Sequence, residues 1–447
     1  KHCSDGALRA KVAYLAGKWA FSDKRYPAAI RFFADVEANP ARDTLGDDAR
    51  LYAALAHDEL SDRAQFVTLL SRIADDYPDG DMSREGLFRL ALSQMEKRDF
   101  ASAISLLRRA DTLPPAPGHG EQLGREQYFL ARALLATGDK TGGVAGFEAL
   151  VEQQPLAYYM LHAWSRLVEM DAARAQAALE RGRARAENTP FLFERSAELS
   201  TPGFERALEL LQAGDVVAAA AELTVLGADG PNATPNLLWG VAVLYQQLGA
   251  TRLSHRISSY LKETWIQRWP AGPWLQAWQV SFPRPYLNTV SQRAQQTGVS
   301  SALMYAVMRE ESAFDAKAVS RANALGLMQL LASTAKGYAA QVGLPATERA
   351  LLTPQVNIAY GSRVLAEFSR QFPSNPLLAI PGYNAGPGKP KQWLKELPTT
   401  EFDLWIELIP FKETRDYTKR VLTSRAAYSY LYEAGGAEAL KLPLAVQ

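Results

Sequence analysis

Residues Met308–Gln329 read MREESAFDAKAVSRANALGLMQ. Two glutamates, Glu310 and Glu311, stand side by side where an apolar run gives out. A Ser/Asn/Gly-rich turn follows, then an uncharged Gly-Leu-Met-Gln. At about 100° per residue, a helix over roughly residues 300–311 gathers Val299, Leu303, Ala306 and Val307 on one face, with Met304 beside them and Tyr305 and Arg309 opposite. Glu310 and Glu311 fall near the margins of the apolar face, about 100° apart. One carboxylate is therefore pressed toward the core, and the pattern does not say which. A carboxyl held against apolar side chains has its pKa raised and stays protonated near neutrality. That is the state needed to protonate a glycosidic oxygen. For an arbitrary Glu at a helix end, a solvated cap is the ordinary reading.

Downstream, SRANALGLMQ (320–329) reads as a turn tolerant of left-handed backbone, with Ser333 or Thr334 as candidate cap of the next helix. PGYNAGPGKPKQW (381–393) reads as a Gly/Pro-rich loop that holds Tyr383 and Asn384. IPFKETRDYTKRVL (409–422) places Glu413, Arg415 and Tyr417 at a Pro-marked helix start, where a capping and ion-pair network is the plain reading.

Before about residue 280 the chain reads as helices joined by short polar turns, with almost no β-branched alternation. A local pattern recurs as KRYPAAIRFF (24–33), KRDFASAISLL (97–107), TGDKTGGVAGFEALV (137–151) and AGDVVAAAAEL (213–223). Aligned on Tyr26, Phe100, Lys140 and Val216, the copies are spaced near multiples of about 37 residues, the range of tetratricopeptide-like hairpins; a generic helical bundle is the alternative. Turn signals at 186–190 and 199–203 predict a break near residue 195. Prolines in RWPAGPW (268–274) and SFPRPY (281–286) predict a second break. The expected all-α chain therefore has a superhelical part over 1–195, a small helical linker domain over 196–282, and a motif-bearing domain over 283–447.

Composition sets outer limits. The 447 residues are 47% hydrophobic and 22% charged, which excludes wholesale disorder, and the net charge of +1 gives no electrostatic case for nucleic acid. Residues 284–447 hold 18 Lys+Arg against 13 Asp+Glu, an excess of five. Cys3 is the only cysteine, so no internal disulfide or zinc-thiolate cluster forms; a free thiol is its plainer reading, a former lipidation site the other. No apolar run reaches the roughly 18 residues of a membrane span. The opening Lys-His-Cys, without an initiator Met, reads as a processed or trimmed form.

In order and spacing, four blocks resemble the catalytic domain of soluble lytic transglycosylases, a lysozyme-like domain at the end of a long α-superhelix. They are Glu311-Ser312, Ser320 through Gln329, Tyr383 through Gly388, and Ile409 through Tyr417. The likeness is detailed over about 283–447 and looser over the helical repeats. It implies Glu311 as the catalytic residue, and Ser320, Met328, Gln329, Tyr383, Asn384 and Glu413 as residues lining the saccharide groove or contacting the attached peptide. Asn323 stands where Gly is usual, Leu331-Ala332 replaces Met-Pro, and Pro381 is unusual and expected to tilt its loop.

The implied chemistry is non-hydrolytic cleavage between N-acetylmuramic acid and N-acetylglucosamine in peptidoglycan, to 1,6-anhydromuramyl products, with one Glu as acid and then base and no cofactor or metal. The implied setting is the periplasm, with outer-membrane association as a variant, as a monomer, with the superhelix available to cell-wall synthesis or remodelling proteins. Two rivals accompany it. A hydrolytic lysozyme on the same fold would use Asp315, four residues after Glu311, as its second carboxylate if the helix continued. A non-catalytic, murein-binding scaffold would use the repeats alone.

Overall fold

The computed structural model describes residues 5–39, 45–114, 120–191, 197–434 and 436–447. Cys3 and the expected break near residue 195 lie outside them. The described regular structure is helical, with three isolated β-bridges and no strand, which agrees with the expected all-α class. The chain forms two compact units, residues 1–147 and 148–447.

The repeat alignment falls on a recurring junction. Tyr26, Phe100, Lys140 and Val216 are each the first residue of a helix. Two positions earlier the backbone is left-handed, at Lys24, Arg98, Gly138 and Gly214. Before three of these helices an Asp accepts from the third amide, Asp99 from Ser102, Asp139 from Gly142 and Asp215 from Ala218. The left-handed residue closes one helix while the Asp satisfies an orphan donor of the next. The same junction precedes Arg63–Ser71, with Ser61 left-handed and Asp62 as cap, and precedes Thr251–Tyr260 after Gly249. Arg63 lies 37 residues from both Tyr26 and Phe100, so the unit of about 37 is continuous there. It escaped the pattern because its helix carries a single alanine.

In residues 1–147 successive helices pack on one another, filled first by Ala20, Ala29, Phe33, Val36 and Ala53 and then by Leu51, Phe66, Leu70, Ile73 and Leu87. The small residues allow close helix approach and the large ones fill the grooves.

In residues 148–447 the Lys412–Tyr432 helix is the axis, with Ser301–Ser312, Tyr158–Met170 and Ala379–Ala385 packed on it. The Ser301–Ser312 helix is buried all round from Ala302 to Met308, Tyr305 included. The expected polar face at Tyr305 is thus covered, because its hydroxyl donates to the Pro285 carbonyl and its ring stacks on Tyr428. Tyr428 and Tyr432 donate likewise to the carbonyls of Pro283 and Phe282. The Pro-rich segment lacks amide donors, and these tyrosines bond its carbonyls and hold it against the axis. Beneath the Phe402–Glu407 helix, Glu407 is fully buried against Lys419 Nζ at 2.7 Å and the Tyr159 hydroxyl at 2.6 Å.

Candidate active site

The Ser301–Ser312 helix stops where it does because Ala313 and Phe314 both take left-handed backbone, φ 48° and 65°. The Ser312 hydroxyl donates to the Leu327 carbonyl at 2.8 Å and ties the helix end to the Gly-Leu-Met-Gln turn. Asp315 therefore lies beyond the helix rather than on its continued face. Its carboxylate accepts from the Lys317 amide and pairs with Arg252 Nε at 3.1 Å.

The two adjacent glutamates are treated oppositely. Glu310 pairs with Arg309 at 2.8 Å and Arg420 at 3.3 Å, and accepts from the Ser424 hydroxyl at 2.7 Å. Burial pushes its pKa up, but Arg309, Ser424 and Arg420 outweigh it and hold the carboxyl below the ordinary range. Glu311 has no ion-pair partner among the described residues. Its Oε1 accepts from the Tyr417 hydroxyl at 2.7 Å. Burial pushes Glu311 up to about 7; the Tyr417 hydrogen bond opposes this, and the Glu310 and Glu413 charges add to it. Burial first, and then the Glu311 charge, keeps the Tyr417 and Tyr383 hydroxyls well above their usual range, so both remain donors.

Facing Glu311 is the turn over 318–330. Gly326 is obligatory there: its φ is +71°, and a Cβ would sit 2.5 Å from the Leu351 carbonyl and 2.6 Å from Asn357 Nδ2. Buried Asn357 pins the turn, donating to Leu325 and Leu351 carbonyls and accepting from the Met328 amide. Asn323 has φ 59°, the left-handed backbone that its amide side chain tolerates in place of Gly. Ser320 Oγ accepts from the amides of Ala322 and Ala324, and Gln329 Nε2 donates to the Gly326 carbonyl, so both organise the turn. Tyr383 donates to the Met328 carbonyl at 2.8 Å.

Several expectations change. Met328 is fully buried, so its side chain serves the core and only its carbonyl reaches the site. The stretch after Pro381 is no long loop: Tyr383 and Asn384 ride on the Ala379–Ala385 helix, and only Gly386-Pro387 separates it from Gly388–Glu396. Pro381 is absorbed in the first turn of that helix, where a missing amide costs no bond. Neither Ser333 nor Thr334 caps the next helix, which starts at Ala332 after an extended Leu331. Asn384 Oδ1 accepts from Thr414, and Glu413 is exposed in the first turn of Lys412–Tyr432.

Tyr417, Arg420 and Ser424 were not among the expected site residues. Their i, i+3, i+7 spacing on one helix face was the available signal. Arg252 and Arg256 had no local signal. They lie on Thr251–Tyr260 and line a cavity of about 570 Å³ together with Glu311, Ser312, Ser320 and Gln329.

A helical axis thus carries a carboxyl held near neutrality in the wall of a cavity, an arrangement suited to a general acid. Residues 288–406 match the family described as the Transglycosylase SLT domain. The soluble lytic murein transglycosylase of Salmonella typhimurium is 34% identical over 152 residues, 33% of this chain and 24% of that relative. The lytic transglycosylase Slt of Pseudomonas aeruginosa, solved as an inactive mutant, shares the fold at TM-score 0.66 and 24% identity, over 98% of this chain and 63% of that one. The 70 kDa soluble lytic transglycosylase of Escherichia coli does so at 0.64 and 22%, over 97% and 63%. The chain spans about a quarter of the length of the soluble curated relatives it matches and about half of the membrane-bound ones.

Proposed function

We propose that this chain is a peptidoglycan lytic transglycosylase with Glu311 as its acid and then its base. One observation carries the reading: Glu311 is half-buried with no ion-pair partner among the described residues, and its carboxyl is held near neutrality by its surroundings. With Oε1 accepting from Tyr417, the proton sits on Oε2 and passes to the oxygen joining muramyl C1 to N-acetylglucosamine O4. The C1–O bond breaks, and the positive charge at C1 is shared with the substrate's own N-acetyl oxygen. Ionised Glu311 then removes the proton of the muramyl C6 hydroxyl, and O6 bonds to C1. The products are a 1,6-anhydro end and a free O4 hydroxyl, Glu311 is protonated again, and no water is consumed. Tyr383 orients the N-acetyl group, and Ser320, Gln329, Asn384 and Glu413 hold sugar or peptide polar groups.

The hydrolytic rival needs a second free carboxylate, and Asp315 is engaged by Arg252 beyond the helix end. The substrate places the protein in the periplasm. No helix among the described residues is long and apolar enough to cross a membrane. The division at 195 and 282, and recruitment of cell-wall proteins by the repeats, belong to the same reading. Mass spectrometry of murein digests tests it: anhydro ends, one water lighter than reducing ends, are expected, and reducing ends alone contradict it.

A further inference from the structure

The Thr251–Tyr260 helix lies outside residues 288–406, yet it forms one wall of the cavity that contains Glu311. It supplies Arg252 and Arg256, four residues apart and therefore on one face. Each guanidinium is anchored through one nitrogen, Arg252 Nε on Asp315 at 3.1 Å and Arg256 Nη2 on Asp229 at 2.9 Å. Both side chains stay open, 62% and 47% exposed. A guanidinium has five donors in a planar fork, so one such contact leaves other donors for a ligand. With Glu311 protonated, the cavity lining holds Arg252, Arg256 and Arg309 against Glu310 and Asp315, and Asp229 behind Arg256 balances the third cation, so open guanidinium donors rather than net charge favour a carboxylate.

Arg252 and Leu253 also line a second cavity of about 830 Å³, whose further walls include Gln246, Arg284, Tyr286 and Leu287. Arg252 thus stands at the junction of the acid-bearing cavity and a roomy groove with aromatic and cationic walls. A linear sugar chain needs only the first. A substituent branching from the sugar beside the cleaved bond would pass Arg252 into the second.

We propose that Arg252 and Arg256 form a carboxylate-reading face that binds the acidic substituent on the muramyl unit. This rests on the proposed substrate, in which the N-acetylated sugars are neutral and the acid is carried by the C3 branch. That acid has two sources, the lactyl carboxylate of a peptide-free unit and the free carboxylates of an attached peptide. The same two-donor fork serves either source, and the linker helix selects muramyl-containing strands over neutral ones.

The test is equilibrium binding to the Glu311→Gln protein, whose amide keeps the cavity charge of the protonated acid. Three ligands of equal sugar length are titrated: a disaccharide-peptide, the peptide-free N-acetylglucosaminyl-N-acetylmuramic acid, and an N-acetylglucosamine oligomer without a carboxylate. The neutral oligomer is expected to bind roughly tenfold or more weakly than at least one acidic ligand, the gain of a charge-assisted bidentate contact. Adding Arg252→Gln and Arg256→Gln is expected to erase that difference while leaving the neutral oligomer's affinity unchanged. The acidic ligand that loses more affinity identifies the carboxylate source. Arg252→Lys with Arg256→Lys keeps the anchoring ion pairs, so it guards against loss of fold; it is expected to retain part of the preference. A preference that survives removal of both arginines overturns the proposal, as does an equal loss for all three ligands. Turnover is scored separately: wild-type protein that binds with this selectivity but forms no anhydro ends sinks the transglycosylase reading and leaves the carboxylate site standing.

Discussion

The Lys412–Tyr432 helix serves one buried glutamate and one half-buried glutamate from positions two residues apart. Lys419 and the Tyr159 hydroxyl meet Glu407, whereas among the described residues Tyr417 alone bonds Glu311. Glu407 is met by a full counter-charge and a hydroxyl, the arrangement of a structural ion pair. Glu311 receives a neutral donor and two neighbouring negative charges, with Arg420 as the weakest influence and of opposite sign, an arrangement suited to lending its proton. Burial alone does not mark a functional acid; what distinguishes the two is the charge of the partner supplied by a single helix.

Removing the proton on the chemical side should give the largest effect. Glu311→Gln is expected to lower turnover of murein roughly 100- to 10,000-fold, the usual contribution of general acid–base catalysis, as read by release of anhydromuropeptides. Near-wild-type turnover would remove Glu311 from the mechanism. On the structural side, Lys419→Met leaves Glu407 buried without its cation and should cost about 3–5 kcal/mol in denaturant unfolding. Adding Glu407→Leu should restore much of that loss, and a failure to do so would break the contrast.

A third effect links the two. Glu311 is held at about 7 in the folded protein against 4.5 when unperturbed. Between those values the native state keeps a proton that the unfolded chain has lost, so Glu311 lowers stability as pH rises through that window. Glu311→Gln should therefore be more stable than wild type at pH 8, by on the order of 2–3 kcal/mol, with the gain vanishing near pH 4. Thermal melts at the two pH values measure it.

The smallest effects should come from the groups that tune Glu311, and they carry opposite signs. Activity is expected to fall as pH rises through about 7, because the acid must be protonated. Tyr417→Phe withdraws a donor to the ionised form and should move that descending limb of kcat/KM to higher pH. Glu310→Gln removes a neighbouring negative charge and frees Arg309 and Arg420, so the limb should move lower. Shifts in the same direction would contradict the electrostatic account.

The helical class, the repeat junctions and the acid-bearing helix were legible because each is local. Left-handed closure followed by an Asp cap leaves a mark within four residues, and Tyr26, Phe100, Lys140 and Val216 fell on the same helical position. The choice between Glu310 and Glu311 was not local. It depends on Arg420 and Ser424, more than a hundred residues away, and no helical wheel contains them. Tyr383 and Asn384 were misread as loop residues because Gly and Pro signal turns by composition, while Pro381 falls in the one part of a helix that accepts it. Arg252 and Asp315 met through folding alone.

The central claim is that, of two neighbouring carboxyls, Glu311 keeps its proton near neutrality while Glu310 gives its proton up. Carbon-13 NMR titration of the glutamate side-chain carboxyls, with the two resonances assigned by the Glu310→Gln and Glu311→Gln variants, measures this directly. The account predicts that Glu311 titrates at about 7 and that Glu310 is already ionised well below that pH. A Glu311 resonance that titrates in the ordinary range near 4.5, or a Glu310 that titrates above it, would contradict the account.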